Sequence, residues 1–323
     1  MKWLAYISAL LLLFVASGCD RDEIPSLDEA YQIKQLNIDA PGEIRQFMII
    51  SDSLWFLCGG DKSSQGFIYR STNQGNTWER VLKTENLSVN AMFYSPDAGY
   101  WAGGDSISLW RSEGGINWTQ NPEAPCYWSN CRNPYHAVHV WKQHLFFGVG
   151  GEYFQRGITS RSTTGNSYWV QLYWPNQFND LLVASKGDGE HVYIAGYAMV
   201  LHSSDSAQNF SDMNMREKNY IAIRQNSKGI FMLSEDGSVF QLEQDAWEHV
   251  SASAGRFRDM DFNTREGLVA GDDGRVFRVN LLGREPRLYA FPDGKNLSAV
   301  KGINDDFLIG TRSGNLYYLQ GNE

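Results

Sequence analysis

The chain has 323 residues, and its 28 lysines and arginines against 37 aspartates and glutamates give a formal net charge of −9 at pH 7. Removal of residues 1–18, which contain Lys2 as their only charged residue, would make the charge −10. Sequence-independent binding to nucleic acid requires lysine and arginine side chains that neutralise phosphates, so this acidic balance argues against a nucleic-acid partner.

The N-terminal segment predicts export from the cytoplasm. Lys2 gives it a basic start, residues 3–15 are almost continuously apolar, and the small residues Ala16, Ser17 and Gly18 follow. A membrane-spanning helix needs roughly 20 consecutive apolar residues. This shorter stretch, which ends in small residues, is typical of a signal peptide. No later segment of the sequence is long and apolar enough to span a bilayer.

Residues 16–19, Ala-Ser-Gly-Cys, resemble the lipobox of bacterial lipoproteins, although Ala16 stands where leucine is usual. In that family the cysteine thiol carries a diacylglycerol and becomes the mature N-terminus. The resemblance implies a signal peptide over residues 1–18 and lipidation at Cys19. It also implies a lipid anchor in the cell envelope, in the outer membrane, on the periplasmic side or at the cell surface. The alternative is an ordinary signal peptide followed by a chance cysteine.

Residues 19–30 are predicted to form a flexible tether, because they begin with a charged run and contain Pro25. Such a sequence is too polar to pack in a core. The acidic residues that directly follow Cys19 resemble the surface-export signal of Bacteroidetes lipoproteins, which would place the protein at the cell surface. The remaining residues, 31–323, are predicted to form one domain.

Internal repeats predict the fold. Four segments each combine a short strand, a serine, a tight polar turn and an aromatic residue: residues 67–78, 109–118, 159–169 and 200–210. Three weaker copies follow at residues 238–247, 275–279 and 315–319. Steps of 41, 50, 41, 40, 37 and 40 residues separate the equivalent positions, which are Ser71, Ser112, Ser162, Ser203, Glu243, Asn280 and Gln320. A period near forty with several strands per repeat predicts an all-β chain that forms a single β-propeller of about seven four-stranded blades.

The strong copies resemble the Asp-box of sialidases and related proteins, Ser-x-Asp-x-Gly-x-Thr-Trp. In the first copy Ser71, Gly75, Thr77 and Trp78 match this pattern, and Asn73 replaces the aspartate. The equivalent residues of the other copies are Ser112 with Trp118, Ser162 with Trp169, and Ser203 with Asp205 and Phe210. The resemblance implies a structural hairpin turn without a catalytic role. In it the serine and the acid bond backbone amides, the glycine takes a positive φ and the aromatic ring packs between blades.

The strands of each repeat can be placed from their apolar runs. Blade 1 is expected to have strands near residues 47–50, 54–58, 67–71 and 77–82. The later inner strands are expected near residues 90–95, 136–142, 180–185, 220–225, 259–263 and 298–303. The last repeat stops after its third strand. Residues 31–38, which alternate between apolar and polar side chains, are therefore predicted to supply the missing outer strand and to close the ring.

Polar residues at the starts of the inner strands are predicted to surround one end of the axial channel, and these are Arg45, Asn90, His136, Asp180 and Asp259. The Asp-box turns should lie at the other end, because loops alternate between the two ends of an antiparallel blade. Convergence of these side chains on one face favours a binding site. The alternative is that they only hydrate the channel.

The longest step between repeats results from an insertion at about residues 121–134, on the same face as the inner-strand starts. It contains Tyr127 and Trp128 between two cysteines. Aromatic rings suit both carbohydrate stacking and protein hot spots, so these two residues are predicted to bind the partner. A decorated loop without a ligand is the alternative.

Four cysteines occur in the chain, and one of them belongs to the lipobox. Cys126 and Cys131 are five positions apart in a loop-like stretch, and in an oxidising compartment they are candidates for a disulfide. The alternatives are two free thiols or a metal site completed by the nearby histidines, His136 and His139. Cys58 lies in an apolar strand and is predicted to be buried.

The repeats are similar to those of the photosystem II stability/assembly factor group, which implies a noncatalytic binding or assembly scaffold with a protein partner. A glycan-binding lipoprotein is the first alternative, because the chain contains 11 Trp and 16 Tyr. A glycoside hydrolase is the second, since Asp-boxes also occur in sialidases and xyloglucanases. The Arg-Ile-Pro signature of sialidases is absent, and residues 44–47, its nearest counterpart, lack the proline. We therefore predict a binding protein without catalytic residues, cofactor or metal.

Overall fold

The computed structural model describes residues 24–61, 63–121, 133–141, 145–151, 157–163, 166–186, 189–279 and 285–322. Two predicted features lie outside these residues: the lipobox with Cys19, and the part of the insertion with Cys126, Tyr127, Trp128 and Cys131. Signal peptide, lipidation, disulfide and the role of the two aromatic rings therefore stay predictions. In the described part of the chain, no helix is both long and apolar enough to cross a membrane.

The described strands form seven four-stranded antiparallel sheets, which are the blades of a propeller. Blade 1 contains β2 (Ile44–Ile49), β3 (Trp55–Gly60), β4 (Gly66–Ser71) and β5 (Glu79–Lys83). Blade 2 contains β6 (Val89–Ser95), β7 (Gly99–Gly104), β8 (Leu109–Ser112) and β9 (Thr119–Gln120). Blade 3 contains β10 (Tyr135–Trp141), β11 (Leu145–Gly150), β12 (Gly157–Thr163) and β13 (Asn166–Trp174). Blade 4 contains β14 (Phe178–Lys186), β15 (Gly189–Gly196), β16 (Met199–Ser203) and β17 (Ser211–Asp212).

The remaining three blades follow the same scheme. Blade 5 contains β18 (Tyr220–Asn226), β19 (Gly229–Ser234), β20 (Ser238–Glu243) and β21 (Ala246–Ala252). Blade 6 contains β22 (Phe257–Phe262), β23 (Gly267–Gly271), β24 (Arg275–Val279) and β25 (Arg287–Ala290). Blade 7 contains β26 (Leu297–Ile303), β27 (Asp306–Thr311), β28 (Leu316–Gly321) and, as its outer strand, β1 (Tyr31–Leu36). The prediction of an all-β propeller with about seven four-stranded blades is confirmed.

The ring is closed by its two terminal strands. β1 pairs antiparallel with β28, from Tyr31 opposite Gly321 to Leu36 opposite Leu316. The predicted closure is therefore confirmed, although the strand ends at Leu36 rather than at residue 38. Because the first strand of the chain completes the last blade, an unpaired strand edge at this position is avoided.

The hydrophobic core lies between neighbouring blades. One cluster joins Phe56 and Ile68 of blade 1 to Tyr100 and Trp110 of blade 2, and the ring centroids of Phe56 and Tyr100 are 5.3 Å apart. All six residues of β3 are buried, including Cys58, as the sequence predicted. Each blade thus buries its faces against its two neighbours, so the hydrophobic contribution of the first and last blades depends on closure.

Residues 24–30, which belong to the predicted tether, pack against the propeller. Leu27 begins a short 3₁₀ helix, Leu27–Glu29, and its side chain is fully buried. The amide of Ala290 in blade 6 donates to the carbonyl of Pro25 at 2.9 Å. Burial of this leucine contributes about 1.5–3 kcal/mol and, together with the hydrogen bond to Pro25, favours the packing of the segment on the propeller. The predicted tether is therefore too long at its C-terminal end.

The turn between β4 and β5 carries the first Asp-box-like motif. Ser71 Oγ accepts hydrogen bonds from the amides of Gly75 at 2.9 Å and Asn73 at 3.3 Å. Asn73 Oδ1 accepts one from the amide of Thr77 at 2.9 Å. Gly75 has a φ of +74°, and Trp78 is partly buried against a cluster that joins blades 7 and 1. Asn73 therefore makes the backbone contact that the motif assigns to an aspartate.

The corresponding turn of blade 4 uses an acid. Asp205 Oδ1 accepts from the amide of Asn209 at 2.9 Å, and Ser203 Oγ accepts from the amide of Ala207 at 3.2 Å. Ala207 takes the positive φ, +62°, that Gly75 takes in blade 1. Phe210 is partly buried against the core cluster of blades 3 and 4. Hydrogen bonds to the carboxylate therefore organise this turn.

The turns of blades 2 and 3 depart further from the motif. In blade 2, Ser112 Oγ accepts from the amide of Gly115 at 2.9 Å, and Trp118 is partly buried against the cluster of blades 1 and 2. In blade 3, Ser162 of β12 lies opposite Trp169 of β13 in the ladder. The shorter turn of blade 2 thus keeps the serine contact.

Candidate functional site

The inner strand of every blade carries a β-bulge near its start, where its register with the second strand shifts by one residue. A bulge leaves one residue outside the ladder and changes the direction of its side chain. The seven residues at these positions are Arg45, Asn90, His136, Asn179, Ile221, Arg258 and Ser298. Each blade therefore contributes one such side chain at the same end of the ring.

These seven residues line a single cavity of about 390 Å³, which we name the mouth. The other residues that line it are Glu43, Gln46, Asp180, Arg224, Asp259 and Arg312. Guanidinium, carboxylate, amide and imidazole groups thus share one concave surface. Such groups recognise ligands through charge-assisted hydrogen bonds, which fix the orientation of a polar or ionised ligand.

All five inner-strand residues predicted from the sequence line the mouth, namely Arg45, Asn90, His136, Asp180 and Asp259. Three of them are bulge residues, and Asp180 and Asp259 each directly follow one. Sequence reasoning missed the other lining residues. The sequence could have indicated Asn179 and Arg258, because each is a polar residue directly before one of the two predicted acids, Asp180 and Asp259.

Blades 1, 6 and 7 supply a basic side of the mouth. Arg45 Nε lies 3.1 Å from Glu43 Oε2, and Arg312 Nε lies 3.6 Å from Glu43 Oε1. Arg258 donates from Nε and Nη2 to the two oxygens of Asp272, at 3.1 and 2.6 Å. The three arginine side chains remain between a quarter and a half exposed. Their acidic partners therefore orient the guanidinium groups without removing them from solvent.

Two acids that directly follow second strands orient bulge residues. Asp105, after β7, accepts from the amide of Ser88 at 2.8 Å and from Asn90 Nδ2 at 3.2 Å. Asp272 occupies the equivalent position after β23 and binds Arg258. The sequences Gly104-Asp105 and Gly271-Asp272, a combination that is also common in turns, thus hold two bulge side chains in place.

On the opposite side of the mouth, in blades 4 and 5, the bulge residues Asn179 and Ile221 are uncharged. Asn179 Nδ2 donates to Asn219 Oδ1 at 2.8 Å and to the carbonyl of Tyr220 at 2.7 Å, which joins the two blades. Tyr197, between β15 and β16, forms an isolated bridge with Asn219 and is 49% exposed. An exposed aromatic ring therefore lies near these uncharged residues of the mouth.

Arg224 connects two acids at the mouth. Its Nη1 binds Asp180 Oδ2 of blade 4, and its Nη2 binds Asp259 Oδ1 of blade 6 at 2.7 Å. The side chain of Arg224 is 24% exposed, and those of Asp180 and Asp259 are 14% and 12% exposed. A guanidinium of blade 5 is thereby held between carboxylates of the two neighbouring blades.

The two acids also bind backbone amides of the next blade. Asp180 Oδ2 accepts from the amide of Ile223 at 2.9 Å, and Asp259 Oδ2 accepts from the amide of Val300 at 3.0 Å. In blade 1, Gln46 occupies the equivalent position after the bulge and accepts from the amide of Met92. Polar residues at this position therefore fasten consecutive inner strands to each other.

These surroundings shift two ionisation equilibria. Burial raises the pKa of Asp259 to about 6, which is partly opposed by Arg224 and the Val300 amide and reinforced by the neighbouring acids Asp261 and Asp180. Burial alone would lower the pKa of Arg224, but the carboxylates of Asp180, Asp259 and Asp261 together raise it above its ordinary value. Arg224 is therefore a permanent cation, whereas Asp259 titrates near neutral pH.

Charged and aromatic contacts continue along the inner strands. Asp261 Oδ2 lies 2.7 Å from Lys301 Nζ and accepts from the amide of Gly302 at 3.1 Å. The rings of His139 and Phe93 have centroids 4.3 Å apart, and burial lowers the pKa of His139 to about 4.

Among the described residues no group of three or more His, Cys, Asp or Glu side chains could hold a metal ion.

Comparison with known proteins identifies the fold. No protein-family model and no curated protein matches the chain. A solved structure described as YCF48 bound to D1 peptide is 14% identical, with 93% of this chain and 100% of that chain covered and a TM-score of 0.69. YCF48 from Cyanidioschyzon merolae is 15% identical, with 89% and 98% covered and a TM-score of 0.65. A virginiamycin B lyase from Staphylococcus aureus, bound to quinupristin, is 8% identical, with 90% and 99% covered and a TM-score of 0.72.

Proposed function

We propose that the protein is a noncatalytic scaffold of the cell envelope that binds a segment of another protein at the mouth. The observation that carries this proposal is the ring of bulge residues, to which every blade contributes one side chain. Repetition of one local distortion in seven strands builds a continuous polar surface, and binding and catalytic residues concentrate at such bulges.

The distribution of charge suggests which groups the partner presents. Arg45, Arg258 and Arg312 lie on the basic side, and a guanidinium fork suits a carboxylate. Asn179 is partly exposed, and its amide oxygen can accept a further hydrogen bond, which suits the N–H group of a peptide backbone. We therefore infer a partner segment that places an acidic group against blades 1, 6 and 7 and a backbone amide against Asn179 of blade 4.

Structural similarity to a propeller with a bound peptide supports the proposal of a protein partner. The YCF48 structure contains a propeller of this fold together with a D1 peptide, and a WD40 propeller of Doa1 has a TM-score of 0.67. The virginiamycin B lyase shares the fold at 8% identity. Because function belongs to sites rather than to folds, none of its catalytic residues is carried over.

The proposed location rests on the sequence. Residues 16–19 resemble a lipobox, so Cys19 would carry the lipid that anchors the propeller to the outer membrane. The first packed residues lie near Pro25, so about five residues would separate the lipid from the propeller. The propeller would therefore lie close to the membrane surface.

Selection from a random peptide library displayed on phage tests the proposed function. Peptides selected on the wild-type protein are expected to lose affinity by at least about tenfold for R45Q and R258Q, because each loses a charge-assisted hydrogen bond. R265Q is the matched control, since Arg265 is also ion-paired, with Asp305 at 2.6 Å, but lies in the turn between β22 and β23 at the other end of the ring.

The outcomes of this selection separate the candidate functions. Peptides whose affinity is equal for R258Q and R265Q would place the binding surface elsewhere. Selection of no peptide, together with glycan binding that R258Q abolishes, would replace the protein partner with a carbohydrate. Turnover of sialosides or β-glucans by the wild type would overturn the noncatalytic assignment.

A further inference from the structure

A continuous series of contacts crosses four blades beside the mouth. Asp180 of blade 4 binds the amide of Ile223 and the guanidinium of Arg224 in blade 5. Arg224 binds Asp259 of blade 6 at 2.7 Å, and Asp259 binds the amide of Val300 in blade 7 at 3.0 Å. Arg224 thus joins the inner strands of blades 4, 5 and 6, and Asp259 extends the connection to blade 7.

Arg224 uses its terminal nitrogens for this connection. Nη1 donates to Asp180 and, at 2.9 Å, to the carbonyl of Ile223, and Nη2 donates to Asp259. The other mouth arginines differ. Arg258 directs Nε and Nη2 at a single acid of its own blade, Asp272, and Arg312 is half exposed. Arg224 is therefore suited to hold the wall of the mouth rather than to contact a partner.

The contacts lie directly beside four bulge residues. Asp180 follows Asn179, and Asp259 follows Arg258. Ile223 and Val300, whose amides the two acids bind, each lie two positions after a bulge residue, namely Ile221 and Ser298. Any change in the distance between Asp180 and Asp259 must therefore displace the side chains that form this half of the mouth.

We propose that Arg224 is a positioning residue, which holds the bulge residues of blades 4 to 7 in one arrangement and so fixes the shape of the mouth. The importance of Arg224 for a partner rests on the function proposed above. Its effect on the shape of the mouth does not depend on that function and can be tested on the protein alone.

The ion pairs should make this arrangement sensitive to pH. Asp259 faces Arg224, the Val300 amide, and the acids Asp180 and Asp261. Asp261 is paired with Lys301 of blade 7, and Arg258 of the same strand is paired with Asp272. With a pKa of about 6, Asp259 is ionised at pH 7.5 and largely neutral at pH 5. The connection to Arg224 is then an ion pair at the higher pH and a weaker neutral hydrogen bond at the lower.

Hydrogen exchange of the purified full-length protein tests the positioning role. In R224M, the mouth ends of β14, β18 and β26 are expected to exchange at least about tenfold faster than in the wild type, while the other ends of the same strands change less than twofold. R265M is the control and should change neither end. Equal acceleration along whole strands would indicate general destabilisation, and no acceleration would remove the role; either result overturns the proposal.

A second variant addresses the two acids that R224M leaves unpaired, since an unpaired buried charge is strongly destabilising. The triple variant D180N/R224M/D259N contains none of the three charges, and its asparagines can still accept from the two amides. It is expected to fold and to show the same faster exchange at the mouth. A triple variant with wild-type exchange would show that Arg224 is dispensable and would overturn the proposal.

The pH profile supplies a readout that packing alone does not produce. The methyl resonance of Ile221 is expected to titrate with a midpoint near pH 6 in the wild type and to lose this transition in D259N. His136 is another titratable group of the mouth, so H136Q should keep the transition. A transition that D259N keeps and H136Q removes would assign it to the histidine and overturn the pH dependence.

Binding of the selected peptides connects this role to the proposed function. R224M and the triple variant are expected to weaken binding of these peptides by at least about tenfold, because the bulge residues of the mouth are displaced. Wild-type affinity in both variants, with R258Q still defective, would overturn the role of Arg224 for a partner and leave the proposed function intact. If no variant of the mouth affects binding, the proposed function fails, and the exchange experiment alone decides the positioning role.

Discussion

Tyr31 and Glu266, which are 235 positions apart in the chain, share a buried hydrogen bond in which the phenol donates to Oε1 at 2.5 Å. Tyr31 begins β1, the strand that completes blade 7, whereas Glu266 lies in the turn before β23 of blade 6. Burial, reinforced by the charge of Glu266, raises the pKa of Tyr31 far above its usual range, so the phenol remains a donor. The closing strand is therefore attached to two blades, by its ladder to blade 7 and by this side chain to blade 6.

We expect Y31F to lower the free energy of unfolding by about 1–3 kcal/mol, because it removes the donor and leaves a buried carboxylate oxygen without it. Urea unfolding, with midpoint and slope compared, measures the change. Q35A is the control on the same strand, since the hydrogen bond of Gln35 to Asn315 is exposed and should contribute little. Equal unfolding midpoints for Y31F and the wild type would contradict a contribution of this bond to closure.

Leu27 should make the N-terminal segment part of the folded domain. We expect L27A to destabilise the protein by about 2–5 kcal/mol, because the side chain is fully buried and its loss leaves a cavity. I24A is the control, since Ile24 is 46% exposed and its truncation should change stability by about 0.5 kcal/mol or less. Deletion of residues 19–23 should likewise be tolerated, whereas deletion of residues 19–28 should lower the melting temperature. Equal melting temperatures for the two deletions would support a flexible tether that extends over residues 19–30.

The propeller could be predicted because its determinants are local and repeated. A strand, a serine, a polar turn and an aromatic residue recur about every forty residues, and residues 31–38 alternate in the manner of an outer strand. The tether boundary could not be predicted, because Leu27 is one apolar residue in a polar segment. Its burial depends on a pocket formed by blade 6, which is more than two hundred residues away in the chain.

Only some of the residues that line the mouth could be predicted from the sequence, for a similar reason. Polar residues at the inner-strand starts were visible in the sequence, but a bulge depends on the register of two paired strands and cannot be read from one of them. Ile221 and Ser298 were therefore not predicted to line the mouth, since neither is charged or aromatic. Arg224 was missed because its partners, Asp180 and Asp259, are 44 and 35 positions away and meet it only in the closed ring.

Lipidation is a separate prediction from the sequence. We expect C19S to move from the membrane fraction to the soluble fraction, because a residue without a thiol cannot receive the diacylglycerol. Cell fractionation and metabolic labelling with a fatty-acid analogue measure the two parts of this expectation. C58S is the control for a general effect of cysteine replacement, since Cys58 is buried in blade 1. A C19S protein that stays membrane-bound with unchanged mobility would show that the segment is not a lipobox.

Gly75 and Gly114 lie in the turns between the third and fourth strands of blades 1 and 2, and replacing each with alanine tests the geometry of these turns. We expect G75A to cost about 1–3 kcal/mol, because its φ is +74° and an added Cβ would lie 2.9 Å from the ring of Trp55. Gly114 lacks a positive φ, and an added Cβ there meets nothing within 4 Å. G114A should therefore be neutral or stabilise the protein by up to about 1 kcal/mol. Thermal unfolding distinguishes the two, and equal destabilisation would contradict a special role of the first turn.

The turn of blade 4 should make stability depend on acid pH. Hydrogen bonds from the Asn209 amide and the Ser203 hydroxyl hold the pKa of Asp205 below its usual value, at about 2. A carboxyl whose folded pKa lies below its unfolded pKa stabilises the protein fully at pH values above the unfolded value, near 4. This stabilisation is lost progressively as the pH falls from about 4 towards 2. Because Asp205 is only partly buried and remains in contact with solvent, we expect a small effect, visible as a lower melting temperature at pH 2.5 than at pH 5.

D205N and D205A separate the charge of this residue from its hydrogen bonds. Blade 1 contains an asparagine at the equivalent position, and Asn73 Oδ1 accepts from the Thr77 amide at 2.9 Å. We therefore expect D205N to keep the turn at pH 7 and to lose the contribution of residue 205 to the acid dependence, since the amide does not titrate. D205A should be less stable than D205N at pH 7, because the Asn209 amide loses its acceptor. If instead D205N and D205A are equally destabilised at pH 7, the charge rather than the hydrogen-bonding pattern stabilises the turn, and the equivalence of Asn73 and Asp205 fails.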